Sequence, residues 1–183
     1  MKISIIIFIF SLLISTFTVA DTLNQNKGEV KEGDVLREAS LYGFAGDYRK
    51  LSEFRGKPLL INVWASWCEP CRAEMGSIER LYQRYGGNQF NIIGVSTDDD
   101  TNAAFRFLMQ SGVTFDNYAD YKLTLETMFG ANMIPLTLLI NSEGRVLKKV
   151  IGFHQWDSPA SIKMISALFN THLPDTNLLD INL

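Results

Sequence analysis

Cys68 and Cys71 stand two residues apart in NVWASWCEPCRAEMGSIERL, and they are the only cysteines in a chain of 183 residues. A pair at this spacing can serve as a metal clip, as a structural cross-link, or as a dithiol that trades electrons with other thiols. A cross-link gains most when it closes a long loop, and this loop is minimal, so a staple is a poor reading. Structural zinc wants four ligands, usually two such pairs or one pair with spaced histidines. The chain offers only His154 and His172, both far along, and no further cysteine. A two-thiolate Cu(I) site is chemically sound, because soft sulfur suits Cu(I), and it stays open beside redox exchange.

The surrounding pattern says how the thiols are presented. PLLINVWAS is a continuous apolar run with β-branched residues, which predicts a strand buried on both faces that leads directly into WCEPC. Met75, Ile78, Leu81 and Tyr85 then recur at helical spacing up to a Gly86-Gly87 stop. Cys68 therefore falls where a helix begins, and the unpaired N–H groups and dipole there favour a thiolate. Cys71 lies one turn later on the same face, within reach to close a disulfide. The spacing supplies an attacking thiol and a resolving thiol. Pro70 suits the first turn, where its missing N–H costs no helical bond. Glu69 opposes the thiolate by like charge.

Glu74, three residues past Cys71, occupies a neighbouring strip of that helix. A carboxyl there can take the proton of the resolving thiol, but spacing alone favours a solvated helix glutamate. Trp67 offers a contact surface for partners, whereas Trp64 is expected in the core. Pro135 opens an apolar strand, a position where proline is ordinarily trans. The run Asp98-Asp99-Asp100 suits capping at a strand-to-helix loop better than metal binding, since adjacent carboxylates point apart. His154 reads as structural or exposed.

Composition bounds the rest. The chain is 46% hydrophobic, 20% charged and 11% aromatic, enough for one domain with a real core. A net charge of -3 without long basic runs argues against nucleic acid and against a polybasic membrane patch. At the N-terminus, Lys2 precedes ISIIIFIFSLLISTFTVA, with small residues at Thr18 and Ala20. This fits a secretory signal peptide over 1–20, cut after Ala20, or an uncleaved membrane anchor. Both place the rest in a periplasmic or other extracytoplasmic compartment. A polar linker (21–33), one domain (34–173) and a tail (174–183) follow.

Within the domain, VLREASLYG and DYRKLSEF suggest short strands or an extended entry, and FNIIGVS a second buried strand. TNAAFRFLMQSG places Ala104, Phe105, Leu108 and Met109 on one helical face. VTFDNY is a short connecting segment before a helix from about Lys122 to Phe129, with Asp120 as cap. PLTLLI and RVLKKVI, joined by NSEG, predict an antiparallel hairpin. A last helix opens with Ser158 and Pro159 and turns Ile162, Ile165, Ala167, Leu168 and Phe169 to the sheet. The order is β-α-β-α-(α)-β-β-α, an α/β domain with a central mixed sheet and helices on both faces.

FRGKPLLINVWASWCEPCRAE together with FGANMIPLTLLINSEGRV resembles the thioredoxin fold, and specifically exported thioredoxin-like proteins of the TlpA/ResA/DsbE type, over roughly Asp34 to Phe169. The resemblance implies a thiol–disulfide oxidoreductase that uses Cys68, Cys71 and Glu74. It implies a cis Ile134–Pro135 peptide packed on the disulfide, with Trp67, Pro70, Ile134 and Pro135 meeting substrate. It further implies client proteins with cysteine pairs or disulfides, apo-cytochrome c among them, and a membrane thiol electron donor of the DsbD/CcdA type. No cofactor or metal is expected. Asn62 stands where ordinary thioredoxins carry aspartate, as is usual for this branch, and the segment Asn102–Phe129 also matches it. Gly76 departs from the family's common proline. Leu136 precedes Thr137 where threonine commonly follows the cis-proline directly, and Leu136 and Met133 are expected to make the rim more apolar. The alternatives are a Cu(I)-binding thioredoxin-like metallochaperone and a thioredoxin-like peroxidase, the latter disfavoured by the adjacent resolving cysteine.

Overall fold

Strand β3 (Leu59–Trp64) is buried along its whole length, as its unbroken apolar sequence requires. The structure, a computed structural model, describes residues 28–174. The expected signal or anchor, residues 21–27 of the linker and residues 175–183 of the tail lie outside the described residues. Among the described residues, seven strands form one sheet, in the order β2 (Tyr48–Lys50), β1 (Ser40–Gly43), β5 (Asp116–Ala119), β4 (Asn91–Ser96), β3, β6 (Leu136–Ile140) and β7 (Val146–Ile151). The parallel centre joins β3 to β4 and β4 to β5. On one side β6 and β7 form the expected antiparallel hairpin. On the other, β1 and β2 extend the sheet antiparallel to β5. The extended entry segments are thus true strands. The fold is the expected thioredoxin-like α/β arrangement.

Alternation along the strands divides the core between the two faces of the sheet. Leu59, Ile61 and Val63 pack with Leu136, Leu138 and Ile140 against α3 (Thr124–Phe129) and the N-terminal segment. Leu60 and Trp64 pack on the other side, with Leu139, against α1 (Glu69–Tyr85) and α4 (Pro159–Phe169). Helix α1 buries Cys71, Glu74, Met75, Ile78, Leu81 and Tyr85, a stripe at helical spacing. Each such apolar side chain contributes about 1.5–3 kcal/mol. Glu74 is the one charged type in that stripe.

Several expectations are corrected. The linker is packed before its expected end: Val30 is 1% exposed and its N–H donates to the Met128 carbonyl. VTFDNY runs into a strand, β5, whose four residues are too few and too polar to stand out from a loop. In α2 (Thr101–Ser111) Ala104 is buried, but Phe105 and Met109 are 45% and 70% exposed. Phe107, on the Ala104 side of the helix, packs on Trp64 instead. Helix α3 starts at Thr124 because Leu123 adopts a left-handed backbone conformation; the Asp120 carboxylate still accepts from the N–H groups of Thr124 and Glu126. Ala167 in α4 faces solvent. No helix among the described residues is long and apolar enough to cross a membrane.

Candidate active site

The polypeptide leaves β3 at Trp64 and enters α1 through Ala65–Cys68, so the dithiol sits at the carboxyl edge of the parallel strands. Cys68 is the N-cap of α1, with extended backbone, and its Sγ accepts the Cys71 N–H at 3.3 Å. A sulfur thus occupies the position of a capping oxygen, where the helix N-terminus favours negative charge. Cys68 and Cys71 are joined as a disulfide. Cys68 is 6% exposed and Cys71 0%, which orders the two thiols: an incoming sulfur reaches Cys68 first. Pro70 lies exposed in the first turn, beside Glu69.

The loop before the dithiol is fastened from β4. Asp98 is buried and accepts from the Ser66 N–H at 2.9 Å, the Ser66 hydroxyl at 2.5 Å and the Ser96 hydroxyl at 2.8 Å. Asp100 is the N-cap of α2, accepting from Asn102 N–H. The acidic run therefore caps as expected, but its first member has the separate task of holding the Ser66–Cys68 loop in place.

From the opposite side, the segment before β6 meets the disulfide. The Ile134–Pro135 peptide is cis, and the Ile134 carbonyl oxygen lies 3.8 Å from Cys68 Sγ. The Pro135 carbonyl accepts from Gly152 N–H at 2.8 Å, which ties this loop to the end of β7. Trp67 is 70% exposed, and with Ile134 it borders an open groove of about 450 Å³ whose other walls include Leu123, Asp99 and Glu126. Burial together with the negative charges of Asp120 and Asp99 raises the Glu126 carboxyl above its usual range. Met133 is exposed on the rim as expected. Leu136 is not, being 0% exposed in the core: a residue beginning a central strand points inward after the cis-proline turn.

Glu74 is not a solvated helix acid. It is 0% exposed and accepts three hydrogen bonds: Asn62 Nδ2 at 2.7 Å, the backbone N–H of His154 at 3.0 Å and Trp156 Nε1 at 3.4 Å. Burial pushes its pKa up to about 7, against the opposing pull of these donors. Asn62 reaches it because β3 positions 60, 62 and 64 share the face under α1. Its cross-strand partner on β6 is Thr137, whose Oγ1 accepts a second bond from Asn62 Nδ2 at 3.0 Å. Ser77 accepts from Trp156 N–H at 3.1 Å and so fixes the loop that delivers His154.

All seven expected site residues thus gather at one end of the sheet. Sequence reasoning missed three supports: the His154 amide, the Trp156 indole and the Asp98 clamp. His154 acts through its backbone, which no side-chain motif reveals. Asn62, noted only as a departure from aspartate, could have been placed under α1 by strand parity with Leu60 and Trp64.

Comparison with known proteins agrees with this geometry. The redoxin family model matches residues 31–163. The thiol-disulfide oxidoreductase ResA of Bacillus subtilis is 28% identical over 136 residues, spanning 74% of this chain and 76% of that protein. ResA of Halalkalibacterium halodurans is 30% identical over 132 residues, 72% of this chain and 75% of its own length. A crystal structure assigned as the thiol:disulfide interchange protein DsbE of Chlorobium tepidum superposes with a TM-score of 0.70 at 30% identity, covering 76% of this chain and 99% of that one.

Proposed function

The chain belongs to the redoxin family and, within it, to the thiol–disulfide oxidoreductases of the ResA/DsbE type; from that premise we propose that it acts as an exported reductant of client-protein disulfides. The observation that carries this reading is the asymmetry of the pair: Cys68 caps α1 beside the Ile134 carbonyl and the exposed Trp67, while Cys71 is fully buried behind it. In the reduced protein the Cys68 thiolate attacks one sulfur of a client disulfide. A Cys68–client bond forms and the client's other sulfur leaves as thiolate. Cys71 loses its proton to Glu74 and attacks Cys68 Sγ, closing the Cys68–Cys71 disulfide and releasing the second client thiolate. Two electrons pass to the client. A dithiol donor must then reduce the pair again, and a membrane donor of the DsbD/CcdA type fits that need.

Trp67, Pro70, Ile134 and Pro135 form the client-facing rim in this scheme, and apo-cytochrome c cysteine pairs are the favoured clients. Export is supported by Lys2 and the apolar run that follows it. The test is substitution at each thiol. Cys68→Ser is expected to abolish disulfide reduction, and Cys71→Ser to accumulate a mixed disulfide between Cys68 and its client. Undiminished reduction by Cys68→Ser would falsify the scheme. A reduction potential more oxidising than that of the client disulfides would reverse the direction of transfer and remove the reductant role.

A further inference from the structure

Every hydrogen bond that Glu74 accepts comes from a donor, which suits a carboxylate. Asn62 Nδ2 faces Oε1, while the His154 N–H and the Trp156 indole N–H face Oε2. A carboxylic acid in the same place has an O–H of its own and, with these three groups oriented as they are, no acceptor for it. The backbone amide and the indole are donors only. The Asn62 amide is different, because it carries a donor at one end and an acceptor at the other. Both of its N–H bonds are in use, to Glu74 Oε1 at 2.7 Å and Thr137 Oγ1 at 3.0 Å, whereas its buried Oδ1 has no hydrogen-bond partner. An unpaired buried carbonyl oxygen is costly, by about 1–3 kcal/mol in general, and calls for a reason.

We propose that Asn62 is a positioning residue whose amide turns over each time Glu74 gains or loses a proton. With Glu74 charged, Nδ2 donates to Glu74 Oε1 and to Thr137 Oγ1, as described. With Glu74 neutral, Oδ1 takes the place of Nδ2 and accepts from Glu74 Oε1–H and from the Thr137 hydroxyl, which donates as readily as it accepts. Only hydrogen bonds are exchanged: Nδ2 moves to the place where Oδ1 had no partner, so the second state leaves the amide N–H groups unpaired instead of the carbonyl, and the proton is the one Cys71 releases during resolution. Oδ1 is then the acceptor needed by the second state. An aspartate at 62 has no N–H for the carboxylate and would set a second acid against it, splitting the pair's titration. The residues around Glu74 are His154 in the β7–α4 loop, which meets it through its backbone N–H, Cys71 three residues before it on α1, locked with Cys68 in the oxidised protein, and Asn62 and Thr137 on β3 and β6, which do not titrate.

The use of this movement rests on Glu74 as proton acceptor, but its detection does not. The experiment follows the Glu74 carboxyl carbon of the isotope-labelled disulfide-form protein by NMR from about pH 5 to about pH 9. In the same samples it follows the cross-relaxation between the Asn62 amide protons and the Thr137 side chain. The expected result is strong cross-relaxation above the Glu74 midpoint and a several-fold fall below it. Glu74→Gln, whose NH₂ stands in for the acid O–H, is expected to show the low value at every pH. Cross-relaxation that persists through the carboxyl titration overturns the proposal, as does a carboxyl that does not titrate in this range. If the amide turns over while Glu74→Gln keeps a normal rate and pH profile of disulfide exchange, the proton role falls and the amide movement stands.

Discussion

Glu74→Gln separates the electrostatic cost of the buried acid from everything else in the fold. In the folded protein its pKa is displaced from 4.5 to about 7, so the native state holds the proton more tightly than the unfolded chain does. The sign follows from linkage: the contribution is fully present below about pH 4.5 and is lost as pH rises through about 7. The displacement corresponds to about 3 kcal/mol. Glutamine has nearly the same shape and no charge, so it lacks this loss. Its own hydrogen-bond mismatch, about 1 kcal/mol, is independent of pH and drops out when the two pH profiles are compared. The assay is urea denaturation of the disulfide forms, in which the cysteines do not titrate. From about pH 5.5 to about pH 8.5 the wild type is expected to lose about 2 kcal/mol relative to Glu74→Gln, the part of the full amount that falls in this window. Parallel pH profiles for the two proteins would refute the claim that burial has displaced this acid.

Three further outcomes follow from the same geometry. Gly76 is helical and exposed, and a Cβ there would meet only Arg80 Nη1, at 3.4 Å, so Gly76→Ala is expected to raise stability by about 0.5–1 kcal/mol, read as a higher urea midpoint. Asp98→Ala removes the acceptor of the Ser66 amide and of two hydroxyls; it is expected to lower stability by about 2–3 kcal/mol and to slow exchange at Cys68, whereas a change in neither would refute the clamp. Trp67→Ala alters a side chain that is 70% exposed, so stability should stay within about 0.5 kcal/mol while the KM for a protein client rises; an unchanged KM would remove Trp67 from the docking rim.

The parts of this site that local pattern controls were legible in advance. Cys68, Cys71 and the helix start follow from an apolar run meeting WCEPC, and the strand entry at Pro135 from the apolar segment after it; the cis peptide followed from the family resemblance. What the sequence left obscure depends on side chains far apart in the chain. Asp98 reaches Ser66 across 32 residues, and His154 reaches Glu74 across 80. In α2 the surplus of apolar residues supports two stripes, and only the sheet decides between them: Trp64 selects Phe107 and leaves Phe105 and Met109 outside. Spacing alone favours a solvated Glu74, and the structure buries it; nothing in its own helix reveals that Asn62 and Thr137 lie beneath it as register partners.

The burial of Glu74 links stability to chemistry through one free energy. In the proposed scheme Cys71 resolves the mixed disulfide, and because it is 0% exposed water cannot readily take its proton there. An ordinary thiol releases its proton near pH 8.5, and an ordinary glutamate is a far weaker base, at about 4.5; proton transfer between them is uphill by about 5.5 kcal/mol. At about 7 the same carboxyl faces a climb of about 2 kcal/mol. Any effect of burial on the Cys71 thiol adds equally to both figures, so the gain of about 3 kcal/mol does not depend on it. That gain equals the stability the folded protein loses as pH rises from about 4.5 to about 7, because both arise from withdrawing one carboxylate from water. A buried amide or apolar side chain would avoid the loss, yet neither can accept a proton. A substitution that restores alkaline stability by removing the Glu74 charge should therefore slow resolution at Cys71, by about 100-fold or more if the carboxyl is the proton acceptor.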